Sequence, residues 1–198
     1  MSRPSRTDEV NNDLMQELDY DTEVESGEGG LFFLDAPGGT GKTFHLNLLL
    51  AQIRKDEKIA ITVASSGIAA TLLDGVRTEH SVLKLPQNLA HEETPVCNFT
   101  KNSELCRMLQ HCKLLVWDEC TMSHKRAVEA LNRTMKDINN NQSVTGGMVV
   151  LTASDFRQIL PVITKGAPVD KINACLKASP LWEHVKKFNF TTNMRVQL

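Results

Sequence analysis

Ala36-Pro37-Gly38-Gly39-Thr40-Gly41-Lys42-Thr43 stands between the apolar run Leu31-Phe32-Phe33-Leu34 and a helical pattern that starts at Phe44. Read as buried strand, glycine-rich turn and helix N-terminus, this stretch predicts a loop that cradles phosphate. Such a turn needs glycine because several peptide N–H groups must converge on one small anion, which takes positive φ and close backbone approach. The following helix adds unpaired N–H groups and the positive end of its dipole. Pro37, Gly38, Gly39, Thr40, Gly41, Lys42 and Thr43 form the expected phosphate-binding set. Lys42 supplies a mobile charge for the β- and γ-phosphates, and Thr43 a hydroxyl for Mg²⁺. Ala36 takes the place where the strict pattern has glycine, and it is small enough for the turn to survive. The expected ligand is a nucleoside triphosphate.

On either side of the loop, β-type runs alternate with helical ones. Phe44, Leu46, Leu48, Leu49, Leu50 and Ile53 fill one broad helical face that ends near Lys55. Ile59-Ala60-Ile61-Thr62-Val63-Ala64 is a second strand, followed by Ser65-Ser66-Gly67 and a helical pattern over 68–73. Residues 84–100, with Pro86 and Pro95, read as an irregular excursion. A short helix is expected over 103–110, then a strand over 113–119. Ser123 is expected to cap the next helix, which carries Ala127, Val128, Leu131 and Met135. A strand over 147–152, a helix near 180–185 and a strand at 188–190 complete the pattern. Such alternation predicts a parallel sheet covered on both faces, with sites at the carboxyl ends of its strands.

Polar clusters fall at those ends. Asp118 and Glu119 follow four apolar residues, so Asp118 is placed to hold Mg²⁺ through its water shell and Glu119 to polarise an attacking water. Gln158 ends another strand, where an amide can accept from water and donate to a γ-phosphate; a polar loop explains it as well. Arg195 is a candidate to spread charge on the transferred phosphoryl group, or a solvated arginine near a C-terminus. Ser65, Ser66 and Gly67, and then Thr78, His80 and Ser81, offer hydroxyls and helix-start amides suited to DNA phosphates. Helix capping accounts for Ser65 and Ser66 equally well, and Trp117 reads as core.

Composition narrows the setting. The 198 residues are 41% hydrophobic and 23% charged, and no apolar run approaches a membrane span of about 20 residues. Residues 1–30 hold nine acidic and two basic side chains, while 31–198 hold fifteen and twenty. An acidic, flexible lead-in over 1–30 therefore precedes a mildly basic body over 31–198, a balance that permits nucleic-acid binding. Five cysteines without a CxxC pair, in a chain whose start lacks an apolar signal, read as buried, reduced thiols of a nuclear or cytosolic protein.

Together these stretches resemble the Pif-type ATP-dependent DNA helicases of superfamily one, in the form carried by Helitron-like transposons and their host relatives. The resemblance rests on 34–43, on Ala64-Ser65-Ser66-Gly67-Ile68-Ala69-Ala70 and on Thr78-Glu79-His80-Ser81. It continues through Val116-Trp117-Asp118-Glu119-Cys120, Asp155-Phe156-Arg157-Gln158-Ile159-Leu160-Pro161-Val162 and Thr192-Asn193-Met194-Arg195. It implies a P-loop NTPase of RecA-like α/β fold that uses ATP and Mg²⁺, acts on single-stranded DNA and unwinds five-prime to three-prime in the complete enzyme. It also implies nuclear residence, with the mitochondrion as the alternative, and service in DNA repair, recombination and telomere maintenance. Under it, Gln158 looks like the γ-phosphate sensor, Arg195 like the motif-IV arginine, and the two serine- and threonine-bearing segments like DNA contacts.

Three departures stand out. The family's adenine-reading Asn-x-Glu-Gln element is not seen before the first strand, Ser154-Asp155 replaces the usual Gly-Asp, and the 198 residues are expected to stop short of the family's second RecA-like domain. The side chain of Ser154 is expected to displace its strand end by a fraction of an ångström, on the order of what disturbs hydrogen bonds that depend on geometry. The first two departures motivate an alternative, a decayed nucleotide- or DNA-binding module. A small-molecule kinase shares the phosphate loop but needs an acceptor pocket and an arginine-rich lid, and neither is seen.

Overall fold

A computed structural model of the chain describes residues 28–67, 69–71, 76–157, 161, 163 and 167–190. Six strands form one parallel sheet: β1 (Gly30–Asp35), β2 (Ile59–Ala64), β3 (Arg77–Thr78), β4 (Cys112–Asp118), β5 (Val149–Ser154) and β6 (Val185–Asn189). Their spatial order is β3-β2-β4-β5-β1-β6. The strand that opens the phosphate loop and the strand that ends in Asp118 thus flank β5. Its register runs without a break from Gly30↔Val149 to Asp35↔Ser154 on one side and from Leu114↔Val149 to Asp118↔Ala153 on the other.

Side chains alternate across this sheet and build two cores. Leu31, Phe33, Val63, Leu115, Trp117 and Val150 face α3 (Glu104–His111) and α4 (Lys125–Asn139), which contribute Leu109, Val128, Leu131 and Met135. Phe32, Leu34, Leu114, Val116 and Leu151 face α1 (Lys42–Lys55), which contributes Leu46, Leu49, Leu50 and Ile53. Each of these four side chains is worth about 1.5–3 kcal/mol in apolar burial, so α1 is clamped to the sheet directly behind the phosphate loop. The expected sheet covered on both faces is present.

Details depart from the sequence pattern for local reasons. Helix α1 begins at Lys42, two residues before Phe44, because Gly41 is its N-cap in the left-handed region. Phe44 and Leu48 are 55% and 41% exposed, so the apolar face is narrower than its composition suggested. Only a 3₁₀ turn over Ala69–Thr71 is described within the helical pattern expected at 68–73. The cap of α4 is His124, whose Nδ1 accepts the Arg126 N–H at 3.2 Å. Burial, with Arg126 and Lys125 beside it, holds His124 below the ordinary histidine value and so favours the neutral acceptor. Ser123, expected in that role, turns inward instead. The segment expected at 180–185 is a 3₁₀ helix over Pro180–His184, and the last strand starts earlier than 188. Two short helices, α2 (Glu79–Leu83) and α5 (Pro168–Ala174), have too few apolar repeats to register in the sequence. No helix among the described residues is long and apolar enough to cross a membrane.

The entry into β5 is pinned to α4. Asn132 Oδ1 accepts the Thr145 N–H at 2.8 Å, and Asn139 Nδ2 donates to the Gly146 carbonyl at 2.8 Å. Gly146 has φ +60, and a Cβ there would sit 2.3 Å from the Met135 carbonyl oxygen. Gly146→Ala is therefore expected to lower unfolding free energy by at least about 2 kcal/mol in chemical denaturation.

Candidate nucleotide site and DNA-contact segments

The parallel sheet brings the carboxyl ends of β1, β2, β4 and β5 to one edge. After β1 the chain turns through Ala36–Gly41, with Gly39 and Gly41 at φ 89 and 82. Thr40 closes the turn, since both its N–H and its Oγ1 donate to the Pro37 carbonyl, at 3.2 and 2.8 Å. No side chain caps α1, so its first amides face the loop, the arrangement that binds an anion. Lys42 and Thr43 sit in that first turn.

Lys42 Nζ donates to Asp118 Oδ1 at 2.6 Å and also to Glu119 Oε1. Asp118 ends β4 with its side chain 2% exposed. Glu119 follows at φ 53, a left-handed conformation uncommon for a residue with a side chain. Asp118 Oδ1 accepts the Glu119 N–H at 2.9 Å, which helps hold this turn. Burial works against the charge on Lys42, but the two carboxylates outweigh it and hold the ammonium above its ordinary value. Burial also lifts the Asp118 carboxyl above its ordinary value, with Lys42 pulling the other way. The cluster is an ammonium held between two acids at the mouth of a phosphate loop.

The oxygen donors fit Mg²⁺. This ion keeps several waters and takes one or two carboxylates plus substrate phosphates rather than a full protein cage. Asp118 and the Thr43 hydroxyl are hard donors of that kind. No group of three or more His, Cys, Asp or Glu side chains that could hold a metal occurs among the described residues.

A match to a family model, PIF1-like helicase, covers residues 13–198. The chain belongs to the PIF1-like helicase family. It is 33% identical over 134 residues to the ATP-dependent DNA helicase Pif1 of Psychrobacter sp., covering 68% of this chain and 20% of that protein. It is 27% identical over 140 residues to the ATP-dependent DNA helicase PIF1 of Candida albicans, covering 70% of this chain and 15% of that one. Among solved structures, Pif1 helicase from Candida albicans superposes with a TM-score of 0.72 at 22% identity, over 98% of this chain and 41% of that chain. Bacteroides sp. Pif1 in complex with ADP-AlF4 gives 0.69 at 24%, over 98% and 43%. These likenesses establish the RecA-like P-loop fold of the PIF1-like chain.

Other sites expected of this PIF1-like chain are placed unevenly. Ser65 N–H donates to the Asp118 carbonyl at 3.1 Å, so β2 and β4 end together. The Ser65 hydroxyl faces inward, accepts from Trp117 Nε1 at 2.9 Å and lies 2.7 Å from Ser123 Oγ. Ser66 Oγ accepts the Ala69 N–H at 3.0 Å, which is the capping role anticipated as an alternative. Gly67 is exposed, with open space around its Cα. Thr78 pairs with Ala64 at the sheet edge, while His80 and Ser81 are exposed on α2. Gln158 and Arg195 lie outside the described residues. All five cysteines are free and buried, and Trp117 is fully buried, as expected.

Three site features escaped the sequence reading. Ser123 Oγ lies 2.8 Å from Glu79 Oε1, joining the first residue of α2 to Ser65. Ser154 Oγ donates to Glu119 Oε2 at 3.0 Å, and Thr121 Oγ1 lies 2.6 Å from Ser154 Oγ. Ser154 does not displace its strand: the ladder reaches it intact, and its carbonyl accepts the Ala36 N–H at 3.0 Å.

Lys42→Met removes the charge that lets two acids share one corner. It is expected to lower stability at pH 7.5 by about 3 kcal/mol, the low end for a broken buried pair, since Lys42 and Glu119 keep some exposure. The uncompensated Asp118 carboxyl then titrates further above its unfolded value of 3.8. The native variant binds the extra proton between those two values, so its stability deficit grows as pH rises through that window and shrinks on acidification. Chemical denaturation of both proteins at pH 7.5 and 4.5 checks the sign.

Proposed function

We propose that residues 31–198 are the nucleotide-binding motor domain of an ATP-dependent DNA helicase, coupling ATP hydrolysis to single-stranded DNA translocation in the five-prime-to-three-prime direction. The observation that carries this reading is the junction of Lys42 with Asp118 and Glu119 at the mouth of the phosphate loop. Family membership supports it, as do related Pif1 structures described as bound to single-stranded DNA and to ADP-AlF4.

The roles follow from position. Loop amides and the start of α1 take the triphosphate, and Lys42 exchanges its carboxylate partners for β- and γ-phosphate oxygens. Thr43 and Asp118 would hold Mg²⁺, which supplies charge neutralisation on the phosphates when bound. Glu119, released from Lys42, orients and deprotonates the attacking water. Gln158 and Arg195 are assigned the γ-phosphate sensor and the charge-spreading arginine. Gly67, Thr78, His80 and Ser81 serve as the DNA-facing positions, whereas the hydroxyls of Ser65 and Ser66 shape the backbone there.

Translocation needs two RecA-like domains that close on ATP and reopen after hydrolysis. The described residues between 28 and 190 build one such domain, and the chain spans 20% of the Psychrobacter relative's length. For a polypeptide of residues 1–198 by itself the expected outcome is weak ATP binding, slow DNA-stimulated hydrolysis and negligible unwinding. The undistorted end of β5 removes one of the two reasons for reading the chain as a decayed module.

Lys42→Ala should abolish most triphosphate affinity in a titration with a fluorescent nonhydrolysable analogue. Glu119→Gln should retain binding and lose at least about 100-fold in turnover, the scale of a general-base contribution. Equal residual hydrolysis in wild type and both variants would favour the non-catalytic module. Single-stranded DNA affinity should fall steeply between 50 and 200 mM salt with little base preference, as contacts to phosphate require; anisotropy titrations on two unrelated oligonucleotides decide this.

A further inference from the structure

Glu119 is held from two sides. Its Oε1 meets Lys42, which faces the phosphate loop, and its Oε2 accepts from Ser154 Oγ at 3.0 Å. Ser154 ends β5, the strand between the phosphate-loop strand and the Asp118 strand, and it is completely buried. Its single hydroxyl proton goes to Glu119, so the 2.6 Å contact with Thr121 requires Thr121 Oγ1 to be the donor. Thr121 is likewise fully buried, in the 3₁₀ turn Cys120–Met122. A chain of two hydroxyls therefore runs from Thr121 through Ser154 to the carboxylate, in a place from which water is excluded.

The two anchors of Glu119 differ in what happens to them when a nucleotide binds. Lys42 must turn to the phosphates, and its hold on Oε1 is lost. Ser154 is fixed by the β-ladder and by its carbonyl's bond to the Ala36 N–H, so its hold on Oε2 persists. We propose that Ser154, backed by Thr121, is a positioning residue that keeps the Glu119 carboxylate aimed at the attacking water after Lys42 has left it. The effect belongs to the hydrolytic step: a carboxylate anchored through one oxygen keeps the other pointed at the phosphate side, and misplacement of a reacting group by a fraction of an ångström is costly in rate. This assignment rests on the ATP-hydrolysing reading given above.

The test uses the full chain as wild type, Ser154→Ala, Thr121→Val and Ser154→Thr, with Ser154→Ala repeated in a Glu119→Gln background. Single-stranded-DNA-stimulated phosphate release gives kcat and KM, and a fluorescent nonhydrolysable triphosphate gives affinity. Ser154→Ala should lower kcat roughly ten-fold, the scale found for groups that orient a reacting ligand, with KM and analogue affinity within about two-fold of wild type. Thr121→Val should fall between, and Ser154→Thr, which keeps the hydroxyl, should recover most of the loss. In the Glu119→Gln background Ser154→Ala should cause no further loss, a non-additivity that a general packing defect would not produce. The proposal is overturned if Ser154→Ala turns over like wild type, if its loss lies in KM or analogue affinity, or if the loss persists undiminished beside Glu119→Gln. Should added methyl bulk make Ser154→Thr melt well below wild type, the double-variant comparison decides alone. A wild-type chain that binds the analogue but releases no phosphate defeats the hydrolytic reading and this assignment together, whereas active wild type with an equally active Ser154→Ala defeats this assignment only.

Discussion

Three charges that would repel or strand one another in other arrangements are held together by the contact of Lys42 with Asp118 and Glu119. Two adjacent carboxylates at a buried strand end are costly unless a cation sits between them, because each loses hydration that only a partner can replace. That cation comes from the first turn of a helix 76 residues earlier in sequence. It arrives only because β1, β5 and β4 lie parallel and in register, and because α1 is packed against the sheet by Leu46, Leu49, Leu50 and Ile53. The same ammonium that neutralises the acids is the group a polyphosphate would recruit, so a bound triphosphate has to displace an interaction already made rather than enter a vacant charge. This is a competition between anions for one cation, and it ties nucleotide affinity to the strength of the resting pair.

Next to this cluster, the ends of β2 and β4 are joined by short hydrogen bonds rather than by charge. Asp118 receives the Ser65 amide on its carbonyl, and the Ser65 hydroxyl takes a proton from Trp117 and gives its own to Ser123. Ser123 in turn reaches Glu79, at the start of the helix that bears His80 and Ser81. The segments assigned to DNA and the acids assigned to metal and water therefore share one contiguous hydrogen-bonded framework.

Much of this was legible because it is written in local patterns. The run 31–34, the glycines of 38–41 and the apolar stretch before Asp118 each specify a strand or a turn by themselves, and parallel order then forces their ends to one edge. Less legible were features that depend on which way a side chain turns after the sheet has formed. Ser123 stands two residues before a helix and reads as its cap, yet His124 takes that place and Ser123 points to Ser65 and Glu79. Phe44 and Leu48 match the helical period but fall on the rim of the stripe, beyond reach of the sheet. Ser154 reads as an intrusion at a position where glycine is usual; its hydroxyl instead meets a carboxylate 35 residues away in sequence, which spacing alone cannot reveal. Glu119 at positive φ is invisible in the same way, since nothing in Asp-Glu-Cys announces a left-handed residue.

The thiols carry a practical corollary. All five cysteines are buried, and loss of hydration pushes Cys97 up to about 11, Cys112 up to about 12 and Cys120 higher still. Thiolate is the nucleophile in alkylation, so at neutral pH these three sulfurs are poor targets while the protein is folded, and burial shields Cys106 and Cys175. A single cysteine introduced on the exposed surface of α1 or α2 would then accept a maleimide dye selectively, leaving the native complement in place for fluorescence work on the loop.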